Sequence, residues 1–422
     1  MPREFKVPDF YRSKFVQVIK ASRAAQDPKK KDRTPSIIDF GPVRFKIARH
    51  FGFCFGVENA IEIAYRVIEE NPEKRVFLLS EVIHNPGVNR DLEERGIKFL
   101  MKTDGTHLID LKTLTPDDIV IVPAFGTTIE LQKKLESLGI NPYKDDATCP
   151  FVEKVWKRAE QLGQLGFTVI VHGKKTHEET RATFSHSKQT APTLIVLNMK
   201  DAEVAISYMK DEISVDSFKE YFADAMSSNF KPEIHLKKIG VVNQTTMLAS
   251  ETKSISEAFK QALIEINGLV NLNKYFGDTR DTLCYATYEN QSATQAMTED
   301  GADLAIVVGG YNSSNTSHLV ELCEEYFPTF YIKDHLEILS EKQIRHYDLN
   351  SKIIIESSNW LPNTRTNSNN DKIDIAITAG ASCPDKEVDL VITRLLDFFP
   401  EKLKLEQVLA DFTNNSRPHI TL

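Results

Sequence analysis

The sequence predicts an α/β protein of three similar βαβ-type modules, each with a small parallel sheet, arranged about a pseudo-threefold axis. Three observations carry that expectation. Short apolar, β-branched runs recur along the chain and alternate with helical patterns, as expected of strands buried on both faces of a parallel sheet. Each run ends in small polar residues that open a helix, where open α/β sheets place their ligands. Finally, Cys54, Cys149 and Cys284 each open one such unit, with separations of 95 and 135 residues.

The elements follow in chain order. Residues 1–44 form a basic, Pro-containing lead, and the first 50 residues hold 13 Lys/Arg against five Asp/Glu. Its first 20 residues have no continuous apolar core, so it does not read as a secretory signal. It reads as a solvated extension, the usual behaviour of a charge run; a docking surface for an acidic electron carrier is the sharper alternative. Module one, 45–148, has strands at 76–79 and 119–122 and helices at 57–70 and 129–138. Module two, 149–283, has a helix at 151–165, strands at 168–171 and 239–242, and a helix at 251–266. A charged stretch at 201–238 reads as a helical insertion. Module three, 284–395, has strands at 304–308 and 373–377, and 396–422 is a tail.

Composition narrows the class. The chain has 422 residues, 41% hydrophobic and 27% charged, which is ordinary globular usage. No apolar run approaches the ~20 residues of a membrane-spanning helix. A formal net charge of −8 argues against nucleic acid as the partner. Five cysteines make no disulfide framework and fit a reducing compartment, with cytoplasm as the default and a plastid stroma needing evidence of processing.

The post-strand loops are His84-Asn85-Pro86-Gly87, Gly126-Thr127-Thr128, Thr176-His177-Glu178-Glu179-Thr180, Asn243-Gln244-Thr245-Thr246, Asn312-Ser313-Ser314-Asn315-Thr316 and Gly380-Ala381-Ser382. Singly, each is an ordinary helix cap. Together they suggest a neutral hydrogen-bonding cradle for a small, multiply charged anion, aided by helix N-termini. The three cysteines sit where a helix dipole stabilises a thiolate. They suit zinc with one open position or three irons of a cubane cluster, and their spacing does not choose. Cys323 reads as core. His177 beside Glu179 is a pair that can pass protons.

These segments resemble, in order from about residue 45 to 395, the LytB/IspH family of 4-hydroxy-3-methylbut-2-enyl diphosphate reductases. The resemblance rests on Gly52-Phe53-Cys54, Glu81-Val82-Ile83-His84-Asn85, Asp146-Ala147-Thr148-Cys149-Pro150 and the His177/Glu179 element. Asn243-Gln244-Thr245-Thr246, Cys284-Tyr285-Ala286-Thr287, Asn312-Ser313-Ser314-Asn315 and Thr378-Ala379-Gly380-Ala381-Ser382 complete it. The N-terminal extension and middle insertion look like the longer branch found in plants and cyanobacteria.

The resemblance implies an iron–sulfur oxidoreductase of the methylerythritol phosphate route to isoprenoids. It would reductively dehydroxylate an allylic diphosphate to isopentenyl and dimethylallyl diphosphate. Cys54, Cys149 and Cys284 would ligate one [4Fe–4S] cluster per chain. His84, His177, Ser313, Ser314, Asn315 and Ser382 would hydrogen-bond the diphosphate, Thr245 would orient the substrate hydroxyl, and Glu179 would head the proton relay. Ferredoxin or flavodoxin would donate electrons. Phe125 stands where shorter bacterial members have a second phosphate-facing histidine, and His177-Glu178-Glu179 replaces their His-Pro-Glu. Cys383 reads as a helix-start residue. The rival readings are a redox-neutral open-iron dehydratase, a zinc hydrolase of a phosphorylated metabolite, and a non-enzymatic iron–sulfur sensor or electron carrier.

Overall fold

The computed structural model describes residues 5–277, 282, 284–362 and 372–415. Residues 1–4 of the extension, Asp281 and Leu283 of the third cysteine motif, and 416–422 of the tail lie outside the described residues. The chain divides into two compact units: Met1–Glu58 with His84–Gly87 and Ala286–Leu422, and Asn59–Ile83 with Val88–Tyr285.

The first unit is built on a five-stranded sheet in the order Ser36–Asp39, Val43–Ile47, Ile373–Ala379, Leu304–Val308, Thr329–Ile332. The first two strands form an antiparallel hairpin, and the other pairings are parallel. The apolar run Leu304–Val308 is buried throughout, and its two faces feed two cores. Ile306 and Val308 pack with Phe45, Ile47, Ile375 and Ile377. Ala305 and Val307 face the other way, with Leu319, Val320, Cys323 and Tyr331. This is the period of two that a strand imposes, and each buried aliphatic side chain contributes about 1.5–3 kcal/mol. Cys323 is therefore core, and burial pushes its thiol up to about 12. A separate antiparallel hairpin pairs Gln343–Asp348 with Ile353–Ser358.

The solvated reading of the N-terminal extension is corrected here. Lys14–Gln26 is a helix capped by Ser13, whose Oγ accepts the Val16 N–H. Its Phe15, Val16 and Ile19 are buried in the same core as Val391 and Leu395 of the helix Asp385–Leu396. The charges occupy the remaining face, so a basic composition and a buried stripe coexist in one helix.

The second unit holds two parallel sheets. One runs Lys98–Phe99, Val76–Leu78, Ile119–Ile121, and the other Thr193–Val196, Thr168–His172, Ile239–Asn243, Phe276–Gly277. Helix Pro150–Gln164 covers one face of the larger sheet through Val155, Ala159 and Leu162. Residues 199–235 contain helices Met199–Met209, Val215–Tyr221 and Pro232–His235, and Phe218, Phe222 and Phe230 pack there against Ile255 and Phe259. The α/β class and small parallel sheets are those the sequence predicts. Among the described residues no helix is long and apolar enough to cross a membrane.

Candidate active site

In the first unit, parallel pairing sets Val308 beside Ala379. The loops that follow both strands therefore emerge at one edge of the sheet. Ser313 caps the helix Ser314–Glu324, its Oγ accepting the Thr316 N–H at 3.2 Å. Asn315 accepts the Ala381 N–H on Oδ1 at 2.8 Å, and the Ala381 carbonyl accepts the Cys54 N–H at 3.1 Å. Ser382 Oγ donates to the His84 carbonyl at 3.0 Å, and Asn85 Nδ2 donates to the Ser382 carbonyl at 2.9 Å. One hydrogen-bonded network thus joins four motifs, of which the Cys54 and Ala381 ends are 327 residues apart in the chain.

His84, Asn85, Ser313, Asn315 and Ser382 are all buried, while Ser314 is half-buried. Asn315 Nδ2 is a buried donor with no hydrogen-bond partner among the described residues. A buried, unsatisfied amide is costly, and a phosphate oxygen is the acceptor it suits. Asn85 joins the network although only its neighbour His84 is expected there; its signal is the shared His84-Asn85 motif. Cys383 is buried before the helix Asp385–Leu396, and burial raises its thiol well above the usual range. This is the helix-start placement expected of it.

In the second unit, His172 pairs with Asn243 across parallel strands, so the loops carrying His177, Glu179 and Thr245 leave the same sheet edge. Glu179 is 1% exposed. Its Oε1 accepts the Thr245 N–H at 2.5 Å and its Oε2 accepts the Thr245 hydroxyl at 3.0 Å. Glu179 N–H in turn donates to His177 Nδ1 at 3.2 Å, which makes His177 the cap of the helix Glu178–Ser187. That bond leaves Nε2 as the ring nitrogen able to carry the proton. Phe125 lies edge-on to the His177 ring, with centroids 5.7 Å apart. Gln244, fully buried, accepts the Thr180 hydroxyl at 2.8 Å and braces the Glu179 helix against the Thr245 loop. Sequence reasoning did not single out Gln244 by itself.

The cysteines keep their helix-start positions. Cys54 precedes Phe55–Glu70, Cys149 caps Pro150–Gln164 with Pro150 in the first turn, and Cys284 precedes Tyr285–Glu299. None of the five cysteines forms a disulfide. Cys54 and Cys149 are half-buried and Cys284 is buried. Asp146 turns the chain into Cys149, with Oδ1 accepting the Thr148 N–H at 2.8 Å, and burial raises its carboxyl above the usual range. Among the described residues no three His, Cys, Asp or Glu side chains are gathered as a metal-binding group. Cys54 belongs to the first unit and the other two to the second. The donor chemistry fits iron–sulfur: soft thiolates at helix N-termini, each next to apolar residues.

A cavity of about 450 Å³ in the second unit is lined by Ser80, Thr127, Thr128, Glu178 and Arg181; it touches two of the post-strand loops but none of the residues expected to hold the cluster, the diphosphate or the relayed proton. Its walls mix acids and bases, and Arg181 is spent on the carbonyls of Thr103 and Asp104. The residues expected to bind substrate and pass the proton lie outside that cavity.

The family model described as LytB protein matches residues 45–396. The 4-hydroxy-3-methylbut-2-enyl diphosphate reductase of Crocosphaera subtropica is 38% identical over 358 residues, covering 85% of this chain and 85% of that one. The enzyme of the same name from Prochlorococcus marinus is 37% identical over 362 residues, covering 86% and 87%. Among solved structures, the E-1-hydroxy-2-methyl-but-2-enyl-4-diphosphate reductase from Plasmodium falciparum matches with a TM-score of 0.60 at 21% identity, covering 88% of this chain and 99% of that one. A structure of (E)-4-hydroxy-3-methyl-but-2-enyl diphosphate reductase, the terminal enzyme of the non-mevalonate pathway, matches with a TM-score of 0.50 at 23% identity, covering 84% and 99%. At these identities the two structures establish the fold alone.

Proposed function

We propose that this chain, which belongs to the LytB protein family, is an oxidoreductase of the same activity as its relatives. It takes (E)-4-hydroxy-3-methylbut-2-enyl diphosphate to isopentenyl and dimethylallyl diphosphate. The allylic C–O bond breaks, two electrons and two protons are taken up, and water leaves. The observation that carries this reading is the buried Glu179 carboxylate holding both the N–H and the hydroxyl of Thr245.

Cys54, Cys149 and Cys284 would hold one [4Fe–4S] cluster per chain. When bound, it supplies single electrons and an open, Lewis-acidic iron. The protein binds, orients and protonates. Asn315 Nδ2 and the hydroxyls of Ser313 and Ser314 would offer donors to the diphosphate, His84 and His177 would add theirs, and Ser382, whose hydroxyl holds the His84 carbonyl, would donate to the diphosphate only after that bond turns. Fixing the diphosphate at several points orients the hydroxyl end of the substrate. Thr245 is held by Glu179 so that its hydroxyl can pass a hydrogen bond onward. Glu179 is the proton source: it is buried and its carboxyl faces the Thr245 hydroxyl, within hydrogen-bond reach of the group it would pass a proton to. Phe125 packs against His177 and fixes its ring edge-on, in place of a charged contact. Ferredoxin or flavodoxin supplies the electrons, and a reducing cytoplasm keeps the cysteines out of disulfides.

The test is an anaerobic absorption spectrum with iron and sulfide analysis, followed by turnover. Broad visible absorbance, about four irons per chain and product formation that stops without a reductant are expected. Turnover without electron demand would favour the redox-neutral dehydratase, and a colourless protein carrying zinc would overturn the cluster.

A further inference from the structure

The N-terminal segment does more than add to the core. Three of its side chains end on the loop that presents Cys54, all within the first unit. Lys20 leaves the helix Lys14–Gln26 and donates from Nζ to the Phe51 carbonyl at 3.0 Å and to Asp385 Oδ1 at 2.7 Å. The same ammonium lies 4.5 Å from the centre of the Phe51 ring. Tyr11 meets Phe53 edge-on with centroids 5.8 Å apart, and Phe5 meets Phe55 edge-on at 4.8 Å. Phe5 and Tyr11 are themselves buried, and Arg12 Nη2 ties back to the Phe5 carbonyl at 3.1 Å.

Between these contacts the loop is tightly threaded. Gly52 has φ +83°, and a Cβ there would meet Asp385 Oδ1 at 2.6 Å and Lys20 Nζ at 3.2 Å. Positions 51, 53 and 55 are therefore each held by the N-terminal segment, on both sides of Cys54. The Cys54 N–H is anchored separately, on the Ala381 carbonyl.

We infer that the N-terminal segment is a clamp that presets Cys54 for metal binding, with Lys20 as its positioning residue. That Cys54 holds metal rests on the function proposed above; the clamp itself rests on the contacts. A loop ligand must be ordered when metal arrives, and ordering done by the fold in advance is not charged to the binding step. Lys20 suits the task because one ammonium can bridge a carboxylate, a carbonyl and a ring face at once.

The experiment uses the full chain with Lys20→Met and Lys20→Arg. Metal-free protein is alkylated with iodoacetamide, and Cys54 and Cys149 are quantified by peptide mass spectrometry in the same sample. In Lys20→Met, Cys54 should react roughly tenfold faster, the factor that about 1.4 kcal/mol of lost loop order gives. Cys149 should be unchanged, and Lys20→Arg should stay near the parent rate. Iron release to a chelator from loaded protein should speed up in the same order. Equal Cys54 rates in Lys20→Met and the parent would overturn the clamp, as would equal acceleration of Cys54 and Cys149. Should Lys20→Met not fold, Tyr11→Leu keeps the apolar bulk and removes the ring contact with Phe53, with the same outcomes. A parent chain that binds no iron yet shows the selective Cys54 effect would sink the cluster reading and leave the clamp standing.

Discussion

Replacing Glu179 by Gln separates proton delivery from structure. The carboxylate is 1% exposed and accepts two hydrogen bonds from Thr245, at 2.5 and 3.0 Å. A glutamine amide can keep its oxygen on the Thr245 N–H and turn its NH₂ toward Thr245 Oγ1, whose hydroxyl can rotate to accept. Both contacts survive as neutral bonds, which are about half as strong as charge-assisted ones. The loss is about 1 kcal/mol, offset in part because no charge is buried. For a chain of 422 residues the melting temperature should move by only about 1 °C. Loss of a positioned general acid, by contrast, costs about 10²–10⁴ in rate. The assay is anaerobic turnover at saturating substrate with a chemical reductant, beside a thermal melt and a visible spectrum of the same sample. The expected result is a collapsed rate with fold and chromophore retained. A rate within a few-fold of the parent would remove Glu179 from the proton path. Glu179→Ala is the contrasting control: it strands the buried Thr245 N–H and opens a cavity, so it should also destabilise by about 2–4 kcal/mol.

Further outcomes follow from the same geometry. Cys284→Ser should abolish the iron–sulfur chromophore while leaving far-UV dichroism unchanged; an intact cluster in that variant would break the three-ligand assignment. Gly126→Ala should destabilise by about 1–3 kcal/mol, because φ is +74° and the new Cβ would drive into Trp156, whose ring stacks on His186; a melt matching the parent would refute this. Burial, reinforced by Arg49, Arg33, Lys30 and Lys20, holds His50 down at about 4. The folded state keeps it neutral where the unfolded chain takes up a proton, so stability present above about pH 6.5 is lost as pH falls toward 4, by about 2 kcal/mol at pH ~5. His50→Gln should flatten that part of the urea-midpoint profile, and an unchanged slope would exclude His50 as its source.

Much of the candidate site's local structure was legible in the chain itself, but unevenly. Helix starts at Cys54, Cys149 and Cys284 are local events, written by small, proline and aromatic residues within a few positions of each cysteine. Glu179 and Thr245 could be nominated from loops that follow apolar runs, but their mutual contact could not, since 66 residues separate them. Asn85 and Gln244 were seen as parts of motifs and gained their roles only from partners, the Ser382 carbonyl and the Thr180 hydroxyl. Nothing in the sequence marked Lys20 or Asp385, which stand 365 residues apart and meet at 2.7 Å.

The sequence by itself determined the α/β class, the six buried strand runs and the helices that follow them, because hydrophobic period and capping are set by neighbours a few residues away. The tertiary structure alone decided which strands pair. The Val43–Ile47 strand lies against Ile373–Ala379, and no local pattern distinguishes that partner from any other apolar run. It also decided that a basic N-terminal segment would be core rather than solvated. Net charge describes a whole segment, whereas burial follows the single face carrying Phe15, Val16 and Ile19. Pairing and burial across hundreds of residues are settled by the apolar surface the whole chain can remove from water, a quantity no short window contains.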